Sequence, residues 1–423
     1  MSDPRNLEYL KRFNRINILN IIRENRDISR QGVALRTGLT PAAISGIVRD
    51  LTEQDYIKEI GFGESSGGRR PIKLQFNSEA GYVVGVEITR KRTILGIVNL
   101  SAEPVIIQET YIDMTNPDTG LRVLLESIDT LITKSGVPKN KVMSMGFAFP
   151  GLIDLRTKII KRSPNLGQEW TDFHVKDCLE RSVDLPLFIE HNSNAAAAAE
   201  FTLGKGKGVQ DFVYVNLGEG ISAGVIINGK PLYGAMGYAG EIGHTVIVEN
   251  GPLCNCGNKG CLESLYAVPA LVRKANNELP LYRDDDELKD IWLANGEITI
   301  KDMIEAAKVP NSYASQLLRQ AGWYIGMAIS NIMNFYNPKI VCLGGILSNA
   351  WPVMMEPLLQ SVETHAFPEV AKVTRVEVSD IGREAGFYGA CLGAINRVFE
   401  IEGNGMFARV ATGELPVEIL KRR

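Results

Sequence analysis

With 423 residues, 45% hydrophobic and 22% charged, the chain has an ordinary globular composition and room for two or three domains. No apolar run reaches the roughly 20 residues that a bilayer span requires, and the polar start Met-Ser-Asp-Pro-Arg-Asn lacks the apolar core of a secretory signal. Membrane-embedded functions are therefore excluded, and the expected compartment is the cytoplasm. The net charge of −3 is uneven: residues 1–76 carry 13 Lys/Arg against 9 Asp/Glu, a net of +4 that leaves −7 on the rest, the balance of a small nucleic-acid module on an acidic body.

Residues 15–25 predict an amphipathic helix. Ser29 is a suitable N-cap for a short second helix that stops at Gly38. Thr40 and Pro41 restart the chain as cap and first helical residue. Ile44, Ile47, Val48 and Leu51 then follow at the spacing of one buried stripe. Two helices across a short glycine turn make a helix-turn-helix. Two short strands at 56–60 and 71–76 flank a Gly-rich tip that ends in Gly67-Gly68-Arg69-Arg70, the wing of a winged helix. Such a unit also serves in protein binding, but the chemistry here favours DNA. Arg69 and Arg70 suit a narrow minor groove, whose negative potential is strongest over A/T tracts. Ala42, Ala43 and Ser45, at the start of the third helix, are small enough to approach major-groove edges and thymine methyls.

From Ala80 the pattern becomes α/β. Strands are predicted at 82–88 and 93–99, a helix around 120–134, and strands at 142–149 and 185–190. The second strand of that pair leads into Glu190-His191-Asn192-Ser193-Asn194 and a helix at 195–201. A second hairpin, 212–217 with 222–227, turns on Gly218-Glu219-Gly220. Two halves that each open with a hairpin predict a duplicated unit. Residues 300–334 read as helical, 339–343 as a strand into Gly344-Gly345, and 382–397 as a closing helix; 275–300 read as polar loop. The expected boundaries are 1–77 for the winged helix, 78–190 and 191–400 for the two lobes, and 401–423 for a tail of no assigned role.

The densest motif lies at Glu241-Ile-Gly-His244 and Cys254-Asn-Cys256-Gly-Asn-Lys-Gly-Cys261-Leu-Glu263. Three thiolates and one imidazole complete a tetrahedral zinc shell. Gly257 and Gly260 allow the tight turns that face the sulfurs to one point. The bland alternative is three thiols without a metal; their spacing in a reducing compartment favours zinc. Four protein ligands leave no open position, so the expected Zn2+, one per chain on His244, Cys254, Cys256 and Cys261, is structural. Cys178, Cys342 and Cys391 read as core thiols, and His174 and His365 as ordinary surface or helix residues.

Gly240-Glu241-Ile-Gly-His244 followed by Cys-x-Cys-Gly-x-x-Gly-Cys-x-Glu resembles the signature of the ROK family of repressors, open reading frames and sugar kinases. The likeness runs from about Arg15 to about Leu392, and it includes the Gly-Gly-Arg-Arg-Pro ending of the wing, which family repressors carry and family kinases lack. The resemblance implies an actin-like (ribonuclease H-like) ATPase fold of two lobes with a ligand cleft between them. It also implies sugar contacts from Asn165, Asn192, Glu241, His244 and Glu263. Against the kinase branch stand three departures. The Asp-x-Gly-Gly-Thr phosphate turn is replaced by Glu87-Ile88-Thr89-Arg90-Lys91. The Gly-Thr-Gly turn is replaced by Gly218-Glu219-Gly220. The catalytic Asp is replaced by Asn192, whose amide cannot take a proton. The expectation is a repressor of carbohydrate genes that binds an A/T-rich two-fold operator as a homodimer or dimer of dimers. A monosaccharide in a non-catalytic cleft would relieve repression; glucose, N-acetylglucosamine and xylose all fit. A repressor controlled by a phosphotransfer protein and an active sugar kinase stay open as alternatives.

Overall fold

The computed structural model describes residues 4–25, 27–62, 70–281 and 286–400. The chain opens with α1 (Pro4–Glu24), longer than its periodic core predicts, and the two-residue strand β1 (Ile28–Ser29). In α2 (Arg30–Thr37) the Ser29 hydroxyl accepts from the Gly32 amide at 3.1 Å, and Gly38 ends the helix at φ +70°. In α3 (Pro41–Glu53) the Thr40 hydroxyl accepts from the Ala43 amide at 3.3 Å, a cap that contributes about 1 kcal/mol. Ile44, Val48 and Leu51 are fully buried beneath it. Strands β2 (Ile57–Phe62) and β3 (Ile72–Phe76) pair antiparallel, with β1 on the other edge of β3. This is the expected winged helix-turn-helix.

The next unit begins with the antiparallel meander β4 (Tyr82–Ile88), β5 (Thr93–Asn99) and β6 (Pro104–Thr110). Helix α4 (Pro117–Ser135) crosses to β7 (Val142–Phe149), parallel to β4. A small hairpin, β8 (Leu152–Asp154) with β9 (Ile159–Arg162), precedes α5 (Val175–Glu180). Strand β10 (Leu187–His191) completes a sheet of order β10-β7-β4-β5-β6. Helix α6 (Asn192–Leu203) leads to the second sheet, whose meander is β11 (Phe212–Leu217), β12 (Ile221–Ile227) and β13 (Lys230–Pro231). After the cysteine-rich loop come α7 (Leu262–Tyr266), α8 (Val268–Glu278), α9 (Glu287–Asn295), α10 (Ile300–Ala306) and α11 (Tyr313–Tyr336). Then follow β14 (Ile340–Gly344), α12 (Trp351–His365), α13 (Pro368–Val373), β15 (Arg375–Val378) and α14 (Ala385–Val398). The order β13-β12-β11-β14-β15 repeats the first sheet's plan, a meander extended by two parallel strands. The duplicated α/β unit expected from the two hairpins is present.

Three stretches differ from the sequence reading. Residues 275–281 and 286–300 are largely helical: the apolar residues they bury are Ala275, Leu279, Leu288, Ile298 and Ile300, too sparse a pattern to stand out in a polar segment. The helix expected at 300–334 is two helices, separated by a turn in which Asn311 takes φ +62°. Finally, α14 does not lie with the second sheet, as a 191–400 lobe would have it. It packs on β4 and β7 of the first sheet and against α6. The sheet meets it with bare backbone, because a Cβ on Gly146 would stand 2.0 Å from the Ala390 carbonyl oxygen.

The winged helix is seated on this region. Ile18, Ile22, Val48 and Leu74 share one apolar cluster with Val83, Val98, Phe387, Cys391 and Phe399. Phe399 meets Phe76 edge-on with centroids 6.0 Å apart, and the Arg23 guanidinium lies 4.8 Å over the same ring. Among the described residues, no helix is long and apolar enough to cross a membrane.

Candidate functional site

The cysteine-rich loop folds as a small knuckle. The Cys254 amide donates to the Asn258 carbonyl and the Gly257 amide to the Cys254 carbonyl. Gly260 takes φ +76°, and a Cβ there would sit 1.7 Å from the Val248 carbonyl oxygen, so only glycine fits. The knuckle gathers His244, Cys254, Cys256 and Cys261, whose donor atoms all lie within 4.8 Å of one another. The Cys256 and Cys261 sulfurs are 3.6 Å apart, and His244 Nδ1 is 3.5 Å from the Cys254 sulfur. Bonds of about 2.3 Å to sulfur and 2.0 Å to nitrogen in a tetrahedron give separations of roughly 3.5–3.8 Å, so the donors fit a zinc-sized dication. Burial pushes the Cys261 thiol up to about 12 and the Cys254 thiol upward as well. A metal charge would offset that cost. The fourth donor is Nδ1, because Nε2 of the same ring faces the Glu241 carboxylate at 3.7 Å.

Beside the knuckle a cleft of about 1030 Å³ is lined by Asn165, Asn192, Glu241, His244 and Glu263. The five residues expected to meet a sugar thus share one cavity. Cys261 immediately precedes α7, so the cysteine knuckle sets the position of Glu263 on that helix. The Glu263 Oε2 accepts from the Ile221 amide at 2.9 Å, which leaves its other oxygen available. Glu241 stands beside Gly240, which takes φ +99° with its α-carbon packed against the Ala223 carbonyl. Burial, together with Glu263, pushes the Glu241 carboxyl up to about 7. Asn165 reaches from the first lobe toward Gly220: a Cβ on that glycine would stand 3.4 Å from its amide nitrogen. At the first turn of α6, the Asn192 amide nitrogen donates to the Ile88 carbonyl at 2.8 Å, while its Oδ1 is buried without a partner. The contact with a carbonyl oxygen fixes the amide's orientation, which identifies Oδ1 as the acceptor and leaves the nitrogen's second N–H as a further donor.

The opposite end of the cleft is charged. The turn after β4 closes when the Thr89 amide and hydroxyl donate to the Arg92 carbonyl at 2.8 and 2.9 Å, leaving Arg90 and Lys91 at its exposed tip. Arg92 pairs with buried Glu87 at 3.4 Å and donates to the Arg383 carbonyl at 2.9 Å. Burial pushes the Glu87 carboxyl up to about 7, against the pull of Arg92. The tie from Arg92 to the Arg383 carbonyl spans 291 residues, so no local pattern marks it. In the second turn, Glu219 has one buried oxygen without a partner. Gly345 keeps φ +83°, against the Leu217 carbonyl.

On the winged helix, Ala42, Ala43 and Ser45 are exposed on the first turn of α3, and Arg70 is exposed. Arg69 lies outside the described residues. Elsewhere, His174 pairs with Asp177 at 3.2 Å, and His365 contacts the Ser361 carbonyl at 2.7 Å. Cys342 and Cys391 are buried and Cys178 is half-buried.

Comparison with known proteins agrees with this construction. The ROK family model matches residues 83–396, and a winged helix-turn-helix DNA-binding model matches residues 14–58. The chain is 30% identical to the xylose repressor of Bacillus subtilis strain 168 over 381 residues, covering 90% of this chain and 94% of that one. It is also 30% identical to a glucokinase of Halalkalibacterium halodurans over 312 residues, 73% of this chain and 93% of that one. Among solved structures, a ROK family transcriptional regulator described as a homolog of the E. coli MLC protein superposes with TM-score 0.77 at 25% identity, over 92% of this chain and 97% of that one. A two-sheet domain of repeated plan, a Cys3His knuckle beside its cleft and a winged helix in front of it together place the chain in the ROK family.

Proposed function

We propose that this chain is a cytoplasmic transcriptional repressor of carbohydrate uptake or catabolism genes, relieved by a monosaccharide that it binds without phosphorylating. One contrast carries the reading. Asn165, Asn192, Glu241, His244 and Glu263 line one cleft, while the residues that phosphoryl transfer needs are replaced at three places. Similarity to a protein named xylose repressor across 90% of the chain supports it.

Each cleft residue has a physical role in this reading. Asn192 Oδ1 accepts one sugar hydroxyl but removes no proton. Glu263, with one oxygen held by the Ile221 amide, accepts another hydroxyl, and Glu241 and His244 Nε2 sort the next. Zinc held by His244 Nδ1 and the three cysteines would have a closed shell, so it would supply rigidity rather than a reactive water. Ala42, Ala43 and Ser45 would face major-groove bases, and Arg69 and Arg70 the minor groove of an A/T-rich site. Two-fold operators imply a homodimer or a dimer of dimers. The sugar releases DNA only by favouring a lobe geometry that spaces two winged helices wrongly. A coupling of about 1–3 kcal/mol corresponds to a roughly 5- to 150-fold loss of DNA affinity.

The test is DNA affinity measured with and without saturating D-xylose, D-glucose or N-acetyl-D-glucosamine, alongside calorimetry of each sugar. A sugar that binds and weakens DNA binding is expected. A chain that binds none of them would favour control by a partner protein. A kinase reading draws on the glucokinase similarity; sugar-dependent ATP turnover in a coupled assay would restore it.

A further inference from the structure

We infer that α14 is the coupling element of this protein: it passes lobe movement to the winged helix through close-packed contacts, with Phe399 as the positioning residue at the far end. The inference rests on the ligand-dependent repressor reading and names how that regulation is transmitted.

The path runs through three close approaches. On β12 of the second lobe, Gly224 lies so near α6 that a Cβ would stand 2.3 Å from the Ser193 carbonyl oxygen. On the other side of α6, a Cβ on Gly389 of α14 would stand 1.8 Å from the Ala195 carbonyl oxygen. On the first sheet, a Cβ on Gly85 would meet the Cys391 sulfur at 2.2 Å, and one on Gly96 the Phe387 ring at 2.7 Å. Gly224 and Gly389 face carbonyl oxygens, and Gly85 and Gly96 face the buried Cys391 sulfur and Phe387 ring, so no long flexible side chain lies between the partners. Such contacts shift as rigid bodies and do not absorb small displacements, because close-packed interiors transmit strain.

Both ends of α14 are tied to functional regions. At its start, a Cβ on Gly386 would meet the Glu87 carboxyl carbon at 2.5 Å, and the Phe387 amide donates to that carboxylate. Arg92 holds the preceding turn through the Arg383 carbonyl. The helix N-terminus is therefore part of the cleft wall. Fourteen residues later, about 21 Å at the usual helical rise, the chain reaches Phe399, whose ring touches Phe76 at the end of β3 and lies under Arg23 of α1. A single helix thus spans from the cleft to the winged helix, and its last contact is one aromatic ring.

The test compares wild type with Phe399→Ala and Phe399→Leu in the full chain, using a duplex selected by the wild type from a random pool. The ratio of DNA dissociation constants with and without the effective sugar is measured for each. In Phe399→Ala the ratio is expected to fall from the roughly 5- to 150-fold range of the wild type to below about 2-fold, with sugar affinity unchanged. Phe399→Leu, which keeps apolar volume and guards against misfolding, should recover part of it. A ratio in Phe399→Ala equal to that of wild type overturns the inference. Hydrogen exchange decides the same question without a sugar. By linkage, DNA binding should change amide protection over residues 383–388 in wild type and not in Phe399→Ala. No change there in wild type also overturns the inference, whereas a wild type that answers to no sugar but shows the exchange change overturns only the choice of effector.

Discussion

The Glu263 carboxylate accepts a hydrogen bond from the Ile221 backbone amide at 2.9 Å, joining the helix behind the cysteine knuckle to the second glycine turn of the cleft. Ile221 is buried, so Glu263→Ala would orphan its amide at a cost of about 1–3 kcal/mol. The variant is expected to bind DNA at low temperature, melt earlier than wild type, and lose its sugar response. DNA titrations with and without sugar, together with a melting curve, check all three; an intact response would place the effector elsewhere.

Zinc should be present at one atom per chain in protein purified without chelator. Cys256→Ser removes the one thiol of the three that is only half-buried, so it should lower metal content with less damage to folding than a change at Cys261. Elemental analysis of both proteins measures this, and metal near zero in wild type would end the assignment.

Replacing both Arg69 and Arg70 by Ala should weaken DNA binding at every sequence and lower the slope of log affinity against log salt by up to about 2, since each lost phosphate contact contributes roughly 0.9. Filter binding over a salt series gives the slope. An unchanged slope would remove the wing from the interface.

Asn192→Asp restores a carboxylate at the start of α6, but Thr89, Arg90 and Glu219 still occupy the turns that phosphates would need. No sugar-dependent ATP turnover is expected from it in a coupled assay, and measurable turnover would show that the base alone separated this chain from the kinases.

Glu87 supplies a pH signature. Burial raises its folded pKa from 4.5 to about 7, opposed by Arg92 and Arg383 and assisted by Glu109. The folded state then holds this proton more tightly than the unfolded chain. Its contribution to stability is greatest below pH 4.5 and falls as pH rises to about 7, by roughly 3 kcal/mol at most. Urea unfolding of wild type and Glu87→Gln at pH 5 and pH 8 should show a smaller loss in the variant. Equal losses would mean that Glu87 is already ionised at pH 5.

What the sequence revealed depended on how local the signal was. Ser29, Gly38, Thr40 and Pro41 act on their own neighbours, so α2 and α3 were legible to within a residue or two. The knuckle was legible because its four donors lie within eighteen residues. Strand β6 was missed: it is an edge strand led by Pro104 with mostly exposed residues, and it lacks the alternation that marks a half-buried strand. The Glu87–Arg92–Arg383 cluster and the seat of α14 on the first sheet are products of tertiary packing between distant segments, which no local pattern encodes. The residue types of the cleft could be named from motif resemblance, but their committed atoms could not. That Asn192 spends its amide nitrogen on the Ile88 carbonyl is decided by backbone 104 residues away, and that His244 turns Nδ1 toward the sulfurs follows from the folded loop that sets Glu241 against Nε2.

Because residues 385–399 complete both the first sheet and the seat of the winged helix, synthesis and assembly run in opposite directions. The winged helix is complete at Phe76, yet one flank of it and one face of the sheet behind it stay uncovered until residues 385–399 leave the ribosome. A nascent or prematurely ended chain therefore lacks the platform on which its reading head is oriented. A chain cut before Ala385 would leave its winged helix without that seat, with Ile18, Ile22, Val83 and Val98 of the shared apolar cluster uncovered.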